Sequence, residues 1–261
     1  MLLSLGVIME PRGFGVGVRA EHPREYIDRI VYRGATPPGL GSASYHLVTH
    51  LPGGRSVYSF CMCPGGVVVG ATSTASGVVT NGMSASARDG ENSNAALLVS
   101  LTPDDFGGTS PLAGIELQER LERAAYAAHG GYVAPAECLG DFLSAVPAPS
   151  GFGSVFPSYL PGTAPYDLSR VLPPYVTGSL RAAIPDFDAW LPGYMYPDAV
   201  LTATETRSTA PVRITRLPDF SLPGFPGLYA AGEGAGYSGG IVSSAVDGLR
   251  CAEAIVLSLT K

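Results

Sequence analysis

The sequence carries little charge and no cluster of basic residues. Only 15% of its 261 residues are charged, and the net charge is −6 at pH 7. Without a basic patch to neutralise phosphates, binding to nucleic acid is not expected. So little charge in a chain of this length also indicates that part of the surface is covered in the working protein.

Long apolar runs and cysteine-rich patterns are missing as well. No apolar run approaches the roughly 18 residues that a membrane helix needs, so no membrane partner is expected. The first residues, MLLSLGVIMEPRGFG, lack the basic start and the small-residue cleavage site of a signal peptide. The four cysteines are too few and too irregularly spaced for a disulfide scaffold, which favours the reducing cytoplasm.

Two classes of enzyme find little support. The four histidines, His22, His46, His50 and His129, lie far apart or alternate on a predicted strand. No Asp or Glu is placed to complete a metal site with them, and no serine lies in a nucleophile elbow. The sequence therefore predicts no metal site and disfavours a metalloenzyme or a hydrolase.

Glycine and proline are abundant, with 34 and 23 residues, which indicates many turns and few long helices. Short apolar and alternating segments predict a mixed β-sheet, so the expected fold class is α/β (α+β). Helices are expected at 115–129, at 175–184 and at 241–259. An antiparallel hairpin is expected from 45–51 and 56–61, and a short strand at 78–81 before a polar loop.

The C-terminal stretch is the most informative part of the chain. An apolar run at 228–231 predicts a buried strand, a glycine-rich turn follows, and a helix begins at Ile241. Free N–H groups at the helix N-terminus, close backbone approach at the glycines and the Glu233 carboxylate suit a ligand with a diphosphate, a polyol or an electron-rich ring.

The same turn contains a GxGxxG pattern, formed by Gly234, Gly236 and Gly239. No second strand follows its helix, and no acidic residue lies about 20 positions further on. The pattern is therefore not the first turn of a dinucleotide-binding unit.

Two thiols, Cys61 and Cys63, lie two residues apart in SFCMCPGG and would share one face of a strand. A redox role is one interpretation. Two small buried hydrophobic side chains are the simpler interpretation, and we favour it.

Two polar segments offer further candidates. Asn81, Arg88 and Asn92 in NGMSASARDGENSN could orient a polar substrate, or this segment could be a solvated loop. Arg207 and Arg213 in TETRSTAPVRI could bind a carboxylate or stabilise negative charge on a ring, or they could be an exposed basic pair.

Five segments together resemble a family of bacterial FAD-dependent dehydrogenases of unassigned substrate, within the glutathione-reductase-like flavoprotein fold. They are FGVGVRAEHP, VYSFCMCPGG, VVTNGMSASARDGENSNAALLVS, TETRSTAPVRI and GLYAAGEGAGYSGGIVSSAVDG. The resemblance implies FAD as cofactor and hydride transfer through the flavin to or from a small-molecule substrate. It does not indicate which substrate.

The resemblance also implies roles for the C-terminal turn. Gly232, Glu233 and Gly234 would meet the ribityl-diphosphate part of FAD. Gly239, Gly240 and Ile241 would place the helix N-terminus under the flavin N1–C2=O edge. Arg207, Cys61 and Cys63 would be the candidates for catalysis, and Asn81, Arg88, Asn92 and Arg213 the candidates for substrate binding.

The family has an N-terminal βαβ unit that binds the ADP half of FAD, and this sequence contains none. We therefore expect residues 1–14 to be a remnant of the FAD-binding domain. Residues 15–200 would form a substrate or cap domain, and residues 201–261 the last strand and helix of a Rossmann-like FAD-binding domain.

The missing N-terminal FAD-binding half, encoded by the same gene or supplied by a separate chain, is the expected partner. Alone, the chain is expected to hold an incomplete FAD site. The alternative is a non-catalytic binding or interaction module that has lost cofactor binding.

Overall fold

The computed structural model describes residues 1–146 and 151–260. Residues 147–150, within the expected 15–200 domain, and residue 261, in the expected C-terminal segment, lie outside the described residues. In chain order the strands are β1 (Met9–Pro11), β2 (Phe14–Pro23), β3 (Val48–His50), β4 (Ser56–Cys63), β5 (Gly66–Gly70), β6 (Thr80–Ser84), β7 (Asn92–Leu101), β8 (Ala134–Cys138), β9 (Thr163–Pro165), β10 (Val200–Glu205), β11 (Val212–Ile214), β12 (Ser221–Leu222) and β13 (Phe225–Tyr229). The α-helices are α1 (Arg24–Tyr32), α2 (Ala113–His129), α3 (Leu139–Leu143), α4 (Pro174–Trp190) and α5 (Ile241–Leu259).

The chain divides into two compact units. The terminal unit consists of Met1–Gly15, Leu101–Gln118 and Arg207–Lys261, and the central unit of Val16–Ser100 and Glu119–Thr206. These units are defined by compactness and not by function, so the expected limits at 14 and 200 stay a prediction.

A seven-stranded sheet forms the core of the central unit, in the order β3-β4-β7-β2-β10-β8-β9. Strand β10 is antiparallel to β2 and β8, while β8 and β9 run parallel. The sheet is therefore mixed, which confirms the α+β class. Strand β2 lies inside it and is buried from Phe14 to His22, so the charged residues of this strand are enclosed by protein.

Helix α4 buries Val176, Leu180, Ala183, Ile184 and Phe187. The expected end of this helix before Pro185 is wrong, because the helix continues to Trp190. Pro185 itself is exposed, so the carbonyl it leaves without an intrahelical partner faces the solvent side. Burial of Phe187 beyond the proline favours the longer helix over an early end.

The predicted hairpin of the central unit is confirmed, since β3 pairs antiparallel with β4 with Val48 opposite Tyr58. A second hairpin differs from expectation. Strand β6 begins at Thr80 and extends to Ser84, into the segment expected to be a polar loop, because Gly82 and Met83 pair with Val68 and Val67 of β5.

The terminal unit contains two small antiparallel pairs, β1 with β11 and β12 with β13. The expected buried strand at 228–231 is wrong in position and burial. Strand β13 spans Phe225–Tyr229, forms a hairpin with β12, and exposes Gly227 and Leu228. Because this strand belongs to a two-stranded hairpin, the assignment of the segment to a Rossmann-like FAD-binding domain stays a prediction.

Helix α5 has the predicted bounds, but most of its apolar side chains are exposed. Cys251 is its one buried residue among those described, and Leu249 is 67% exposed. This apolar surface fits the covered surface expected from the low charge fraction. Separately, within residues 1–146 and 151–260 no helix has both the length and the apolar character that a membrane span requires.

Candidate functional site

A buried polar cluster of the central unit is built around Arg19, in the middle of β2. Its side chain is fully buried and forms a bidentate ion pair with Glu205. Nε donates to Oε2 at 3.2 Å and Nη2 donates to Oε1 at 3.0 Å. Glu205 reaches this position because the β2–β10 register shifts between Thr202 and Glu205.

The remaining N–H groups of Arg19 bind three neighbouring strands. Nη1 donates to the Cys61 carbonyl at 2.8 Å and to Asn94 Oδ1 at 3.3 Å. Nη2 donates to Asn81 Oδ1 at 2.9 Å. Arg19 has five such donors, and all five are used, so the guanidinium links β2 to β4, β6, β7 and β10 instead of facing a ligand.

Burial and the ion pair act on Glu205 in opposite directions. Burial raises the pKa of this carboxyl above its usual value, and the Arg19 charge and hydrogen bonds lower it in part. The Thr80 hydroxyl is a third neighbour, at 3.4 Å from Oε2. Arg19 therefore offsets part of the effect of burial on the Glu205 pKa.

The two thiols lie at a bulge in β4 and differ in exposure. The β4–β7 register shifts between Phe60 and Cys63, and Cys61 has a left-handed backbone with φ of 47°. Cys61 is exposed and Cys63 is buried, so the expectation that they share one strand face is wrong. Burial raises the pKa of the Cys63 thiol, which donates to the Cys61 carbonyl at 3.3 Å.

Gly82 allows this close packing. A Cβ at this position would lie 2.7 Å from Arg19 Nη1 and 2.9 Å from Cys63 Sγ. Asn94 lies on the same side, and its buried Nδ2 has no hydrogen-bond partner among the described residues. The cluster therefore has a rigid, closely packed base, with Cys61 and Asn81 exposed above it.

Asn92 lies in a separate buried group. Its Nδ2 donates to Glu21 Oε1 at 3.1 Å and to the Phe156 carbonyl at 2.9 Å. The Ser158 hydroxyl donates to the same Glu21 oxygen at 2.5 Å, and burial raises the pKa of Glu21. Asn92 thus holds an interior carboxyl group in place.

Arg88 lies on the exposed loop after β6, with a left-handed φ of 52°. Its carbonyl accepts from the Ser42 hydroxyl at 2.6 Å. A Cβ on Gly65 would overlap this same carbonyl. The Pro-Gly-Gly turn at Gly65 therefore packs against the Arg88 loop.

Arg207 and Arg213 both belong to the terminal unit. Arg207 is exposed. The Arg213 guanidinium lies 3.4 Å from Glu10 and 5.5 Å from the Tyr237 ring centroid.

In the terminal unit, the glycine-rich turn is folded back onto α5. Gly232 has φ of 75°, and its N–H donates to Asp247 at 2.7 Å. Gly236 has φ of 84°, and a Cβ there would overlap the Val212 carbonyl. Its N–H donates to the Glu233 carbonyl at 2.8 Å. The turn therefore requires glycine at two of its positions.

The N-terminus of α5 follows this turn and is open. Gly240 is extended, and within the described residues no side chain caps the helix. Ile241 is 89% exposed, and a Cβ on Gly234 would meet no atom within 4 Å. The helix N-terminus therefore presents uncapped N–H groups, and the half-buried Glu233 lies in the turn that precedes it.

The structure thus brings Cys61, Cys63 and Asn81 together, and Gly232 to Ile241 into one turn. Sequence reasoning missed Arg19, Glu205, Asn94 and Gly82. A single arginine inside the apolar strand FGVGVRA was the available signal, since such a residue must find partners when it is buried. The described side chains contain no group of three or more His, Cys, Asp or Glu placed to hold a metal ion.

Comparison with known proteins agrees with the resemblance at the level of the family. The sequence profile of the family described as "FAD-dependent protein, C-terminal domain-like" matches residues 13–208. A Clostridium beijerinckii protein, described only as uncharacterized, is 45% identical over 259 residues, which cover 98% of this chain and 48% of that protein. The chain spans about half the length of this relative, and it belongs to the family of FAD-dependent proteins that shares this C-terminal domain.

Proposed function

We propose that this chain is the substrate-side part of a FAD-dependent oxidoreductase that transfers a hydride between its flavin and a small molecule. Membership of the FAD-dependent family supports the cofactor. The observation that carries the proposal is the open, glycine-fronted N-terminus of α5, with no side-chain cap at Gly240 among the described residues and with Glu233 in the turn that precedes it.

Each of these residues has a role that follows from its chemistry. FAD, when bound, supplies the hydride acceptor or donor. The N–H groups at Gly240 and Ile241, with the positive end of the α5 dipole, would stabilise negative charge on the N1–C2=O edge of the flavin. The Glu233 carboxylate would accept a hydrogen bond from a ribityl hydroxyl.

Within the central unit, the candidate substrate-binding groups are Cys61 and Asn81. Asn81 Oδ1 accepts from both Arg19 and the Gly82 N–H, which turns its amide NH2 group away from the cluster. The Arg19 guanidinium holds the backbone carbonyl of the exposed Cys61 and the amide oxygen of Asn81. The Cys61 thiol and the Asn81 NH2 group would offer a substrate one nucleophilic and one hydrogen-bonding group. Arg88, Asn92, Arg207 and Arg213 stay candidates for substrate binding or catalysis.

The partner in this proposal is an N-terminal half that binds the ADP part of FAD, in the cytoplasm. A relative about twice as long as this chain is consistent with such a half. The chain alone would then hold only part of the FAD site.

The test uses two variants of one residue in the chain co-produced with the proposed FAD-binding half. Gly240→Asp adds a carboxylate where the flavin edge is proposed to lie. The site accepts a side chain, because φ is −167° and an added Cβ would be 3.7 Å from Ser243 Oγ. Gly240→Ala adds the Cβ without the charge and is the matched control.

Gly240→Asp should stabilise the fold, since Asp is a better N-cap than Gly by a few tenths of a kcal/mol. It should nevertheless weaken FAD binding about tenfold or more, measured by flavin fluorescence, while Gly240→Ala binds nearly as wild type. Equal FAD affinity of the Asp and Ala variants would contradict a flavin at this helix. A wild-type pair that binds no FAD would favour the non-catalytic module, and a stoichiometric yellow complex of the chain alone would overturn the incomplete site.

A further inference from the structure

An ion pair lies directly behind the glycine-rich turn and connects it to α5. Arg216 Nη1 and Nη2 donate to the two carboxylate oxygens of Asp247, each at 2.8 Å. Both side chains are largely buried, at 12% and 15% exposed. Bidentate geometry with little solvent fixes the relative orientation of the two groups.

The same two side chains also hold the backbone on either side of the turn. Arg216 Nη1 donates to the Ala230 carbonyl at 2.8 Å. Asp247 Oδ2 accepts the Gly232 N–H at 2.7 Å. The Gly232 N–H thus anchors the turn to the helix directly before Glu233.

Two aromatic rings enclose the Arg216 guanidinium. Its central carbon lies 3.6 Å from the Tyr237 ring centroid and 4.1 Å from that of Phe220. Tyr237 is itself tied to the turn, because its N–H donates to the Gly232 carbonyl at 3.2 Å. Its hydroxyl donates to the Ile214 carbonyl at 3.0 Å. Contact with two aromatic rings restricts the position of the guanidinium.

We propose that Arg216 and Asp247 are positioning residues for the flavin, holding Glu233 and the N-terminus of α5 in one fixed arrangement. This inference rests on the proposed function. Asp247 lies on α5 and Gly232 precedes Glu233, so the hydrogen bond from the Gly232 N–H to Asp247 fixes the backbone next to Glu233 against the helix. Preorganised donors of this kind contribute most when they need no rearrangement on binding.

The aspartate is charged across the working pH range. The Arg216 hydrogen bonds lower the pKa of Asp247 to about 2, and the Gly232 N–H adds to this effect. The Arg216–Asp247 ion pair is therefore not a pH switch, and its effect on FAD binding should be constant with pH.

The experiment compares Asp247→Asn and Arg216→Lys with the control Asp219→Asn. Asp219 lies in the same unit and also accepts a backbone N–H, from Ser221 at 3.1 Å, but it does not contact the turn. Amide hydrogen exchange is measured on the 261-residue chain. FAD affinity and the flavin absorbance spectrum are measured on the chain co-produced with its FAD-binding half.

In Asp247→Asn, exchange at the amides of Gly232 and Tyr237 should be about tenfold faster while amides of β2 stay protected. FAD affinity should fall about tenfold or more, with a changed flavin spectrum. Arg216→Lys keeps the charge but loses the bidentate geometry, and it should show the same effects. Asp219→Asn should leave exchange at the turn, FAD affinity and the spectrum unchanged.

The outcomes separate the two proposals. If exchange at the turn does not change in either variant, the ion pair does not hold the turn and the inference is overturned. If exchange is faster but FAD affinity and the spectrum match wild type, the pair is structural only, and positioning is overturned while the proposed function stands. If the wild-type assembly binds no FAD, the proposed function fails and takes this inference with it.

Discussion

Replacing Arg19 with methionine should destabilise the central unit strongly and in a pH-dependent way. Methionine removes the cation from a fully buried position and leaves the Glu205 carboxylate without its partner. It also removes the donors to the Cys61 carbonyl and to Asn81. Breaking a buried ion pair by deleting one member costs about 3–5 kcal/mol of unfolding free energy.

The sign of the pH dependence follows from Glu205. Its pKa in the folded protein already lies above the ordinary 4.5 because of burial, and Arg19 lowers it. Without Arg19 this pKa rises further, so between 4.5 and the new value the folded state binds a proton that the unfolded state lacks. Stability of the variant should therefore fall as pH rises through this window and recover as pH decreases.

Urea unfolding at about pH 5 and about pH 8 measures both effects. The matched control is Arg123→Met, because Arg123 forms an exposed i,i+4 pair with Glu119 at 3.0 Å. Such a pair contributes only about 0.3–0.5 kcal/mol. The reasoning is refuted if Arg19→Met costs no more than Arg123→Met, or if its cost grows on acidification.

Two further predictions concern backbone packing at two glycines, one in each unit, and the protonation of a buried histidine in the central unit. Gly17→Ala should cost about 3 kcal/mol or more, since its Cβ would overlap the Leu97 carbonyl. Gly248→Ala in α5 should raise the free energy of unfolding by about 1 kcal/mol, because no atom lies near the added Cβ. Equal effects of the two variants in urea unfolding would contradict the close packing at Gly17. Burial lowers the pKa of His22 from 6.5 to about 4. Between pH 6.5 and about pH 4 the unfolded state therefore binds more protons than the folded state. Acidification through this pH range should remove about 3 kcal/mol of stability. His22→Gln should lose that part of the slope, and an unchanged pH profile would count against the buried neutral imidazole.

The sequence predicted the elements whose information is local. Helices α2 and α5 have apolar spacing over many residues, and the β3–β4 hairpin has a glycine turn between two alternating segments. The end of α4 was misplaced because a proline on the exposed side of a helix costs less than one inside the core. Which side of the helix is exposed depends on the sheet against which the helix packs, and a local sequence pattern does not contain that information.

The candidate site shows the same limit. Cys61 and Asn81 were identified as residue types, but their common partner Arg19 was not. Arg19 and Glu205 are separated by 186 positions, and only the register of β2 and β10 brings them together. The bulge that exposes Cys61 and buries Cys63 is likewise a property of pairing with β7. The glycine-rich turn was found because its signal lies within ten consecutive residues.

The pairing of β1 with β11 has a consequence for synthesis. Glu10 lies opposite Arg213, with 203 positions between them. Translation adds about 5–20 residues per second, so β1 leaves the ribosome roughly 10–40 s before β11 has been synthesised. Closing so long a loop is entropically costly for an open chain. The N-terminal strand therefore completes its pairing late, after the intervening residues have become compact, and a nascent chain stalled before residue 212 should expose it to proteases.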